Sequence, residues 1–311
     1  MPLKSIINKL ITILGPTASG KTNLACALAH DINGEIISAD SRQVYQNMDI
    51  GTGKDIDEYT INGKQIPYHL IDIKPAGYKY NIYEYQTDFL NAFNEINGRN
   101  HQAILCGGSG LYLQTALSGN TFLGIPNSDN IRHKTRELSK QELLKLWETI
   151  PENLQQKLDS STDKRIIRSL EIAKYIQANP NWKEPKYPQI KHTIIGINID
   201  RELRRQKIHK RLSFRMNNGL IEEVVELIKS GLTYDDLAYY GLEYKWICQY
   251  LQKQISKKEL FFGLETAIHQ FAKRQMTWYR RMEKQGYNIN WIEATLPMDD
   301  KLYYVKKLII D

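Results

Sequence analysis

Leu10-Ile-Thr-Ile-Leu14 runs directly into Gly15-Pro-Thr-Ala-Ser-Gly-Lys-Thr22 and then into Asn23 to His30, which is rich in Ala and Leu. The first segment is short, apolar and β-branched, and the last favours a helix. The residues between them satisfy GxxxxGK[ST], and a strand before and a helix after are the context that gives this spacing its meaning. Glycines 15 and 20 let the backbone wrap an anion. Successive N–H groups and the helix start supply partial positive charge, Lys21 adds a full one, and Thr22 is the candidate Mg²⁺ ligand. The loop, Gly15, Pro16, Thr17, Ala18, Ser19, Gly20, Lys21 and Thr22, is therefore read as binding a di- or triphosphate. Kinases, NTPases and enzymes that expel pyrophosphate share this cradle, so it does not name a reaction.

Further apolar runs recur at 35–39, 69–73, 103–106 and 193–197, with helix-compatible stretches between several of them. Runs of this kind, buried on both faces, predict a parallel sheet in an α/β fold. Between Pro126 and Pro188 the pattern changes. Residues 131–146 and 165–177 carry helical periodicity dense in Lys, Arg and Glu, and no strand is evident. We expect a core in two parts, 1–125 and 190–311, interrupted by an inserted all-helical subdomain at 126–189. From Arg201 onward further helices are predicted, including 220–229 and 259–284.

Composition excludes several classes. The chain has 311 residues, 41% hydrophobic and 25% charged, and no run approaches the roughly 18 apolar residues of a membrane span. The run 10–14 is too short for a signal-peptide core, which makes the cytoplasm the expected location. Cys26, Cys106 and Cys248 lie far apart without a CxxC spacing, against a zinc knuckle or a disulfide framework. Of the net charge of +7, residues 191–311 carry +6 (21 basic, 15 acidic), a regional excess that suits a polyanion such as RNA or an ordinary solvated face.

Asp40 stands at the carboxyl end of the predicted second strand, on the sheet edge where the loop opens. It reads as a general base or a partner of Mg²⁺, or as an Asp capping the next turn. Gly107-Gly-Ser-Gly110 follows another strand at the same edge, either as a tight turn or as a place where Ser109 meets a ligand. Asp72 is read as a structural cap in preference to a Walker-B-like acid.

With these residues in hand, the sequence resembles the tRNA dimethylallyltransferases, isopentenyl transferases that modify the adenosine 3′ to the anticodon. The carriers are GPTASGKT at 15–22, DSRQVYQNMDIGTGK at 40–54, GGSGLY at 107–112, RIIRSLEI at 165–172, GLIEEV at 219–224 and AKRQMTWYR at 272–280. The resemblance implies a P-loop NTPase-like core with a helical insertion that closes over the tRNA anticodon stem-loop. It implies that the loop holds dimethylallyl diphosphate instead of cleaving ATP, with Mg²⁺ on Thr22, in a monomer. It assigns Asp40 as general base, places Arg211 toward the diphosphate, and gives Ser109 a role usually held by Thr. It implies tRNA contacts from Asp40, Ser41, Arg42, Gln43, Ser109, Arg132, Lys164, Arg165, Ile166, Ile167, Arg168, Tyr244, Lys245, Lys273, Arg274 and Gln275. The chain departs from the family pattern at Lys164, where Gln is usual, at Ile268-His269, where Thr-Arg is usual, and at GTGKD 51–55, where GTAKP is commoner.

The implied reaction moves the dimethylallyl group to N6 of adenine in tRNAs reading codons that begin with U. The base must leave the stacked loop to reach the diphosphate. Trp278 and Tyr279 are candidates for stacking on it, with burial in a helix face the preferred expectation for Trp278. The rivals are a P-loop small-molecule kinase, an isopentenyltransferase acting on free AMP, ADP or ATP, and a non-catalytic RNA-binding protein.

Overall fold

The computed structural model describes residues 9–310. In chain order the elements are β1 (Lys9–Leu14), α1 (Lys21–Ile32), β2 (Gly34–Ser38), a 3₁₀ turn (Ile56–Tyr59), β3 (Thr60–Ile61), β4 (Lys64–Gln65), β5 (Tyr68–His69), α2 (Ile82–Gly98), β6 (Gln102–Gly107) and α3 (Gly110–Ser118). Four helices follow: α4 (Asp129–Thr135), α5 (Lys140–Glu148), α6 (Glu152–Gln155) and α7 (Asp163–Ala178). The chain then returns through β7 (Lys191–Asn198), α8 (Arg201–Asn217), α9 (Leu220–Lys229), α10 (Tyr234–Ala238), α11 (Leu242–Leu251), α12 (Lys257–Lys284), β8 (Ile289–Glu293) and α13 (Met298–Ile310).

The principal sheet has the order β5-β2-β6-β1-β7-β8, all parallel, so the α/β reading holds. β1 sits between β6 and β7, with Ile13 opposite both Cys106 and Ile195. Successive β1 side chains alternate between faces. Ile11 and Ile13 pack with Leu24 and Leu28 of α1 and with Leu302 and Val305 of α13, while Leu10 and Leu14 are buried on the opposite face. From β1 the chain goes to β2 and β5 on one side, returns to β6 beside β1, and then adds β7 and β8 on the other side, so the crevice beyond the strand carboxyl ends near β1 is where such sheets take ligands.

Capping residues written in the sequence fix several helix starts. Asn81 with Glu84, Ser139 with Glu142, Thr233 with Asp236 and Ser256 with Glu259 each form a reciprocal capping box. Ser139 is also why the expected helix over 131–146 is two helices: its cap starts α5 afresh after α4. The run 69–73 yields only the end of a two-residue edge strand, because Leu70 and Asp72 adopt left-handed backbone (φ 62° and 58°). Asp72 pairs with the buried Lys54, which also reaches Asp49 at 2.5 Å and the Tyr45 carbonyl at 2.6 Å, so its carboxylate serves a structural ion pair where a cap was expected. The three cysteines are buried and free.

The chain divides into two compact units, one formed by the segments before and after the helical stretch and one spanning Gly119–Pro188. The second begins at Gly119, ahead of the Pro126 suggested by composition. It contains α4–α7 and a small core of Phe122, Ile125 and Ile172, with Trp182 stacked on Phe122. Its polar centre is Glu171, fully buried, whose carboxylate accepts from Ser128 N at 3.0 Å, Arg132 Nε at 2.8 Å and Arg168 Nη1 at 3.1 Å. Arg168 also donates to the carbonyls of Phe122, Ile125 and Pro126. This corrects the expectation of a tRNA contact at Arg168: its guanidinium is committed to backbone and to Glu171. Ile166 is likewise interior at 0% exposure and Ile167 is half-buried. Arg165 pairs with Asp159 at 2.7 Å. Lys164 is the exposed cation of the stretch, and Arg132 keeps about half its side chain in solvent although its Nε is engaged.

Candidate active site

The loop from Gly15 to Gly20 closes on itself through Ser19 N donating to Pro16 O at 3.2 Å. Gly20 adopts φ 85°, a left-handed geometry that glycine takes without steric cost, and it delivers the chain into α1 at Lys21. No side chain caps this helix and no acid occupies its first turn, so its N–H groups and the positive end of its dipole are left for an anion.

The outer wall of the loop comes from far along the chain. On α12, Gln275 accepts from Thr17 N at 2.8 Å and donates to Gly108 O at 3.0 Å, and the Tyr279 hydroxyl lies 3.1 Å from both Gly15 O and Gly108 O. One helix therefore clasps the phosphate-type loop and the GGSG turn together. Glycine is needed at 108 and 110 because a Cβ there would run into Gln275 and Trp278 respectively. Trp278 is thus a packing residue, as preferred, and Tyr279 and Gln275 are buried. The expectation that Gln275 touches RNA is corrected: both ends of its amide are spent on the two loops.

Asp40 follows β2 and accepts from Arg42 N at 2.9 Å, and the next amide, Ser41 N, donates to the Ser109 hydroxyl at 3.2 Å. Asp40 shapes its own turn, as the capping reading expects, and also lines the cavity in front of the loop. Gln43 braces the strand end against the 51–55 loop, accepting from Ser38 Oγ at 2.9 Å and donating to Gly53 O at 3.0 Å. That loop is held from below by Glu223, which accepts from Asp49 N (2.7 Å), Ile50 N (2.6 Å), Gly51 N (3.0 Å) and the Tyr244 hydroxyl (2.8 Å). Tyr244, expected to face RNA, is fully buried and serves as this support.

From α8, Arg211 donates to the Thr17 hydroxyl and Arg215 to Asp55. The resulting cavity, about 620 Å³, is lined by Lys21, Thr22, Asp40, Ser109 and Arg211, and also by Ser41, Arg42, Gln43, Lys245 and Arg274. Lys273 is exposed on α12. The charges here are strained by burial. It lowers the Lys21 ammonium against the opposing pull of Cys106 and Asp40. It brings Arg211 down to about 10, with Arg215 adding to that effect. It raises the carboxyls of Glu58 and Glu243, which also line the cavity. The sequence reading does not anticipate Arg215, Glu58 or Glu243. Only Arg215 carried a signal, lying one helical turn beyond Arg211 on the same face. Aromatic rings rim the same space: Arg42 sits 5.2 Å from the ring of Tyr239, and Arg274 sits 5.8 Å from that of Phe271.

Comparison with known proteins agrees with this geometry. An IPP transferase family model matches residues 43–282, and an isopentenyl transferase model matches residues 8–71. The chain is 52% identical over 298 residues to tRNA dimethylallyltransferase 2 of Bacteroides fragilis, covering 96% of this chain and 97% of that relative. It is 50% identical over 300 residues to tRNA dimethylallyltransferase 2 of Phocaeicola vulgatus, covering 96% and 97%. The crystal structure of full-length tRNA isopentenylpyrophosphate transferase from Bacillus halodurans superposes with a TM-score of 0.72 at 30% identity, over 97% of this chain and 96% of that one. The loop, the acid at the end of β2 and similarity along nearly the whole length lead to one conclusion: the chain belongs to the IPP transferase family.

Proposed function

We propose that this enzyme transfers a dimethylallyl group from dimethylallyl diphosphate to N6 of the adenosine 3′ to the anticodon, in tRNAs reading U-initial codons, giving N6-isopentenyladenosine and diphosphate. The observation that carries this reading is the convergence of the anion loop, Asp40 and Arg211 on one cavity, in a chain half identical to proteins named tRNA dimethylallyltransferase. Its volume falls within the roughly 300–1,000 Å³ usual for small-molecule sites.

Loss of diphosphate from an allylic carbon is eased when negative charge on the leaving oxygens is met by fixed positive charge. Lys21, Arg211 and the N–H groups at the start of α1 are placed for that, and Gln275 and Tyr279 hold the loop so that little reorganisation accompanies the step. The exocyclic amine of adenine is a weak nucleophile because its lone pair is delocalised into the ring. Asp40 accepts its proton as the C–N bond forms, and Ser109 keeps Asp40's turn in register through Ser41 N. The purine reaches the cavity as an everted nucleotide. Half-buried Arg42 and exposed Lys245, Lys273 and Arg274, with Lys164, Arg165 and Arg132 of the helical unit, attract RNA phosphates.

Mg²⁺ is consistent with the donor set. Among the described residues no three His, Cys, Asp or Glu side chains form a cage, and Thr22 offers a hard hydroxyl oxygen beside Lys21. Mg²⁺ is usually bound by one or two protein oxygens plus substrate phosphates and water, so Thr22 and the donor's oxygens would hold it. When bound, it adds charge neutralisation at the leaving group. No helix among the described residues is long and apolar enough to cross a membrane, and we place the enzyme as a cytoplasmic monomer acting where tRNA is found.

The test is incubation with labelled dimethylallyl diphosphate and unmodified tRNA, followed by mass spectrometry of the nucleosides. Isopentenyladenosine at the position 3′ to the anticodon is the expected product. ATP turnover without label in tRNA would establish a kinase, and preferential labelling of free AMP, ADP or ATP would establish the nucleotide-directed rival.

A further inference from the structure

Arg215 lies one turn beyond Arg211 on α8, and both line the cavity. Its side chain is 10% exposed, yet only Nη2 is used: it sits 2.8 Å from each oxygen of Asp55, while Nε and Nη1 have no hydrogen-bond partner among the described residues. An arginine presents five donors in a fixed planar fork, and this one keeps most of that fork for the polar cavity it lines, a geometry suited to the oxygens of an anion.

The 51–55 loop is shaped around this guanidinium. Gly53 adopts φ 67°, and a Cβ there would lie 2.9 Å from Nη2 and 3.0 Å from Nη1. Asp55 adopts φ 44°, a left-handed geometry unfavourable for a residue with a side chain, and thereby aims its carboxylate at Arg215. The commoner GTAKP would fail at both positions. Its alanine would carry the colliding methyl, and its proline, locked near −65°, can neither take this φ nor supply a carboxylate. Lys54, between the two, pins the loop through Asp49, Asp72 and the Tyr45 carbonyl. The two departures from the family pattern in this loop are thus the two residues that touch Arg215.

We propose that Arg215 is a second arginine for the donor's diphosphate, offering Nε and Nη1 to its oxygens while Asp55 retains Nη2 and Gly53 leaves the room. The proposal rests on the prenyl-transfer reading for the identity of the anion. Arg211 and Arg215 are like charges lining one cavity, and burial first and Arg215 second lower the Arg211 guanidinium, which suits an anion between the two.

The test uses the full-length enzyme and inorganic pyrophosphate, measured both as an inhibitor of tRNA prenylation and by calorimetry. Arg215→Met is expected to weaken pyrophosphate binding and raise KM for dimethylallyl diphosphate about tenfold, in line with loss of a charged hydrogen bond, with KM for tRNA within about twofold. Arg215→Lys should recover part of the loss. Asp55→Asn should cost about threefold alone and nothing further on top of Arg215→Met, because the two act as one unit. Should the methionine variant not fold, the lysine and asparagine variants carry the same comparison. Unchanged pyrophosphate affinity in folded Arg215→Met, or a rise confined to KM for tRNA, overturns the proposal. If the wild type does not prenylate tRNA but calorimetry still shows the Arg215 dependence, the reaction reading fails and the anion site stands.

Discussion

The two ends of β2 treat buried charge in opposite ways. At the amino end Glu35 is almost fully buried and completely answered: Arg99 donates through Nε at 3.1 Å and Nη2 at 2.8 Å, and His69 and His101 each lie 2.6 Å away. Burial alone would raise this carboxyl, but the bonds from Arg99, His69 and His101 outweigh it and hold it at about 2. At the carboxyl end Lys21 and Arg211 are lowered and Glu58 and Glu243 raised, each chiefly by burial that opposing neighbours do not outweigh. Charges answered within the protein belong to the scaffold. Charges left unanswered in a cavity mark where a ligand completes the electrostatics.

This contrast can be broken most sharply at Asp40. Asp40→Asn is expected to slow single-turnover prenyl transfer by about 10²- to 10⁴-fold, the usual contribution of a general base, with tRNA affinity by filter binding unchanged. Lys21→Ala comes next: removing one preorganised cation should reduce kcat/KM by about 10²-fold or more and abolish the thermal stabilisation given by pyrophosphate. Retained stabilisation would place the anion elsewhere.

At the answered end the effect should be on folding instead. Glu35→Gln is expected to cost about 2 kcal/mol in urea denaturation while leaving kcat intact. Because the folded carboxyl lies below its ordinary range, its contribution is fully present above the unfolded value near 4.5 and is lost as pH falls through about 2. Wild-type stability should therefore decline over that window more steeply than that of the variant. The smallest effect is expected at Lys273→Ala, an exposed cation proposed to attract RNA phosphate: KM for tRNA rises about two- to threefold and the salt dependence of binding flattens by about one unit of slope.

The phosphate-type loop, its flanking strand and helix, and Asp40 were legible in the sequence because everything that defines them is local: glycine spacing, a β-branched run before it and an Ala/Leu-rich run after it. The inserted helices were legible from periodicity, although the break at Ser139 depended on reading a capping box. What was not legible depended on long-range contact. Gln275 and Tyr279 acquire their roles from residues more than 160 positions away. Tyr244 and Arg168 carry polar groups that suit RNA contact, yet one is enclosed beneath the 49–51 segment and the other is tied to backbone carbonyls. Arg132 and Glu171 are likewise joined across 39 positions. Residue type states what a side chain is able to do, while enclosure decides whether solvent and ligand ever meet it.

The single long rod of α12 has a practical corollary for engineering. Because Gln275 and Tyr279 form part of the enclosure of a loop that is encoded near the start of the chain, sequence order is a poor guide to where this enzyme can be cut and rejoined. Hybrids that exchange the last third of two relatives re-pair the α12 carboxamide and phenol of one parent with the anion loop of the other. Chimaeras that inherit residues 15–22, 51–55, 107–110, 201–217 and 257–284 from one parent should keep the anion loop and the arginines beside it matched.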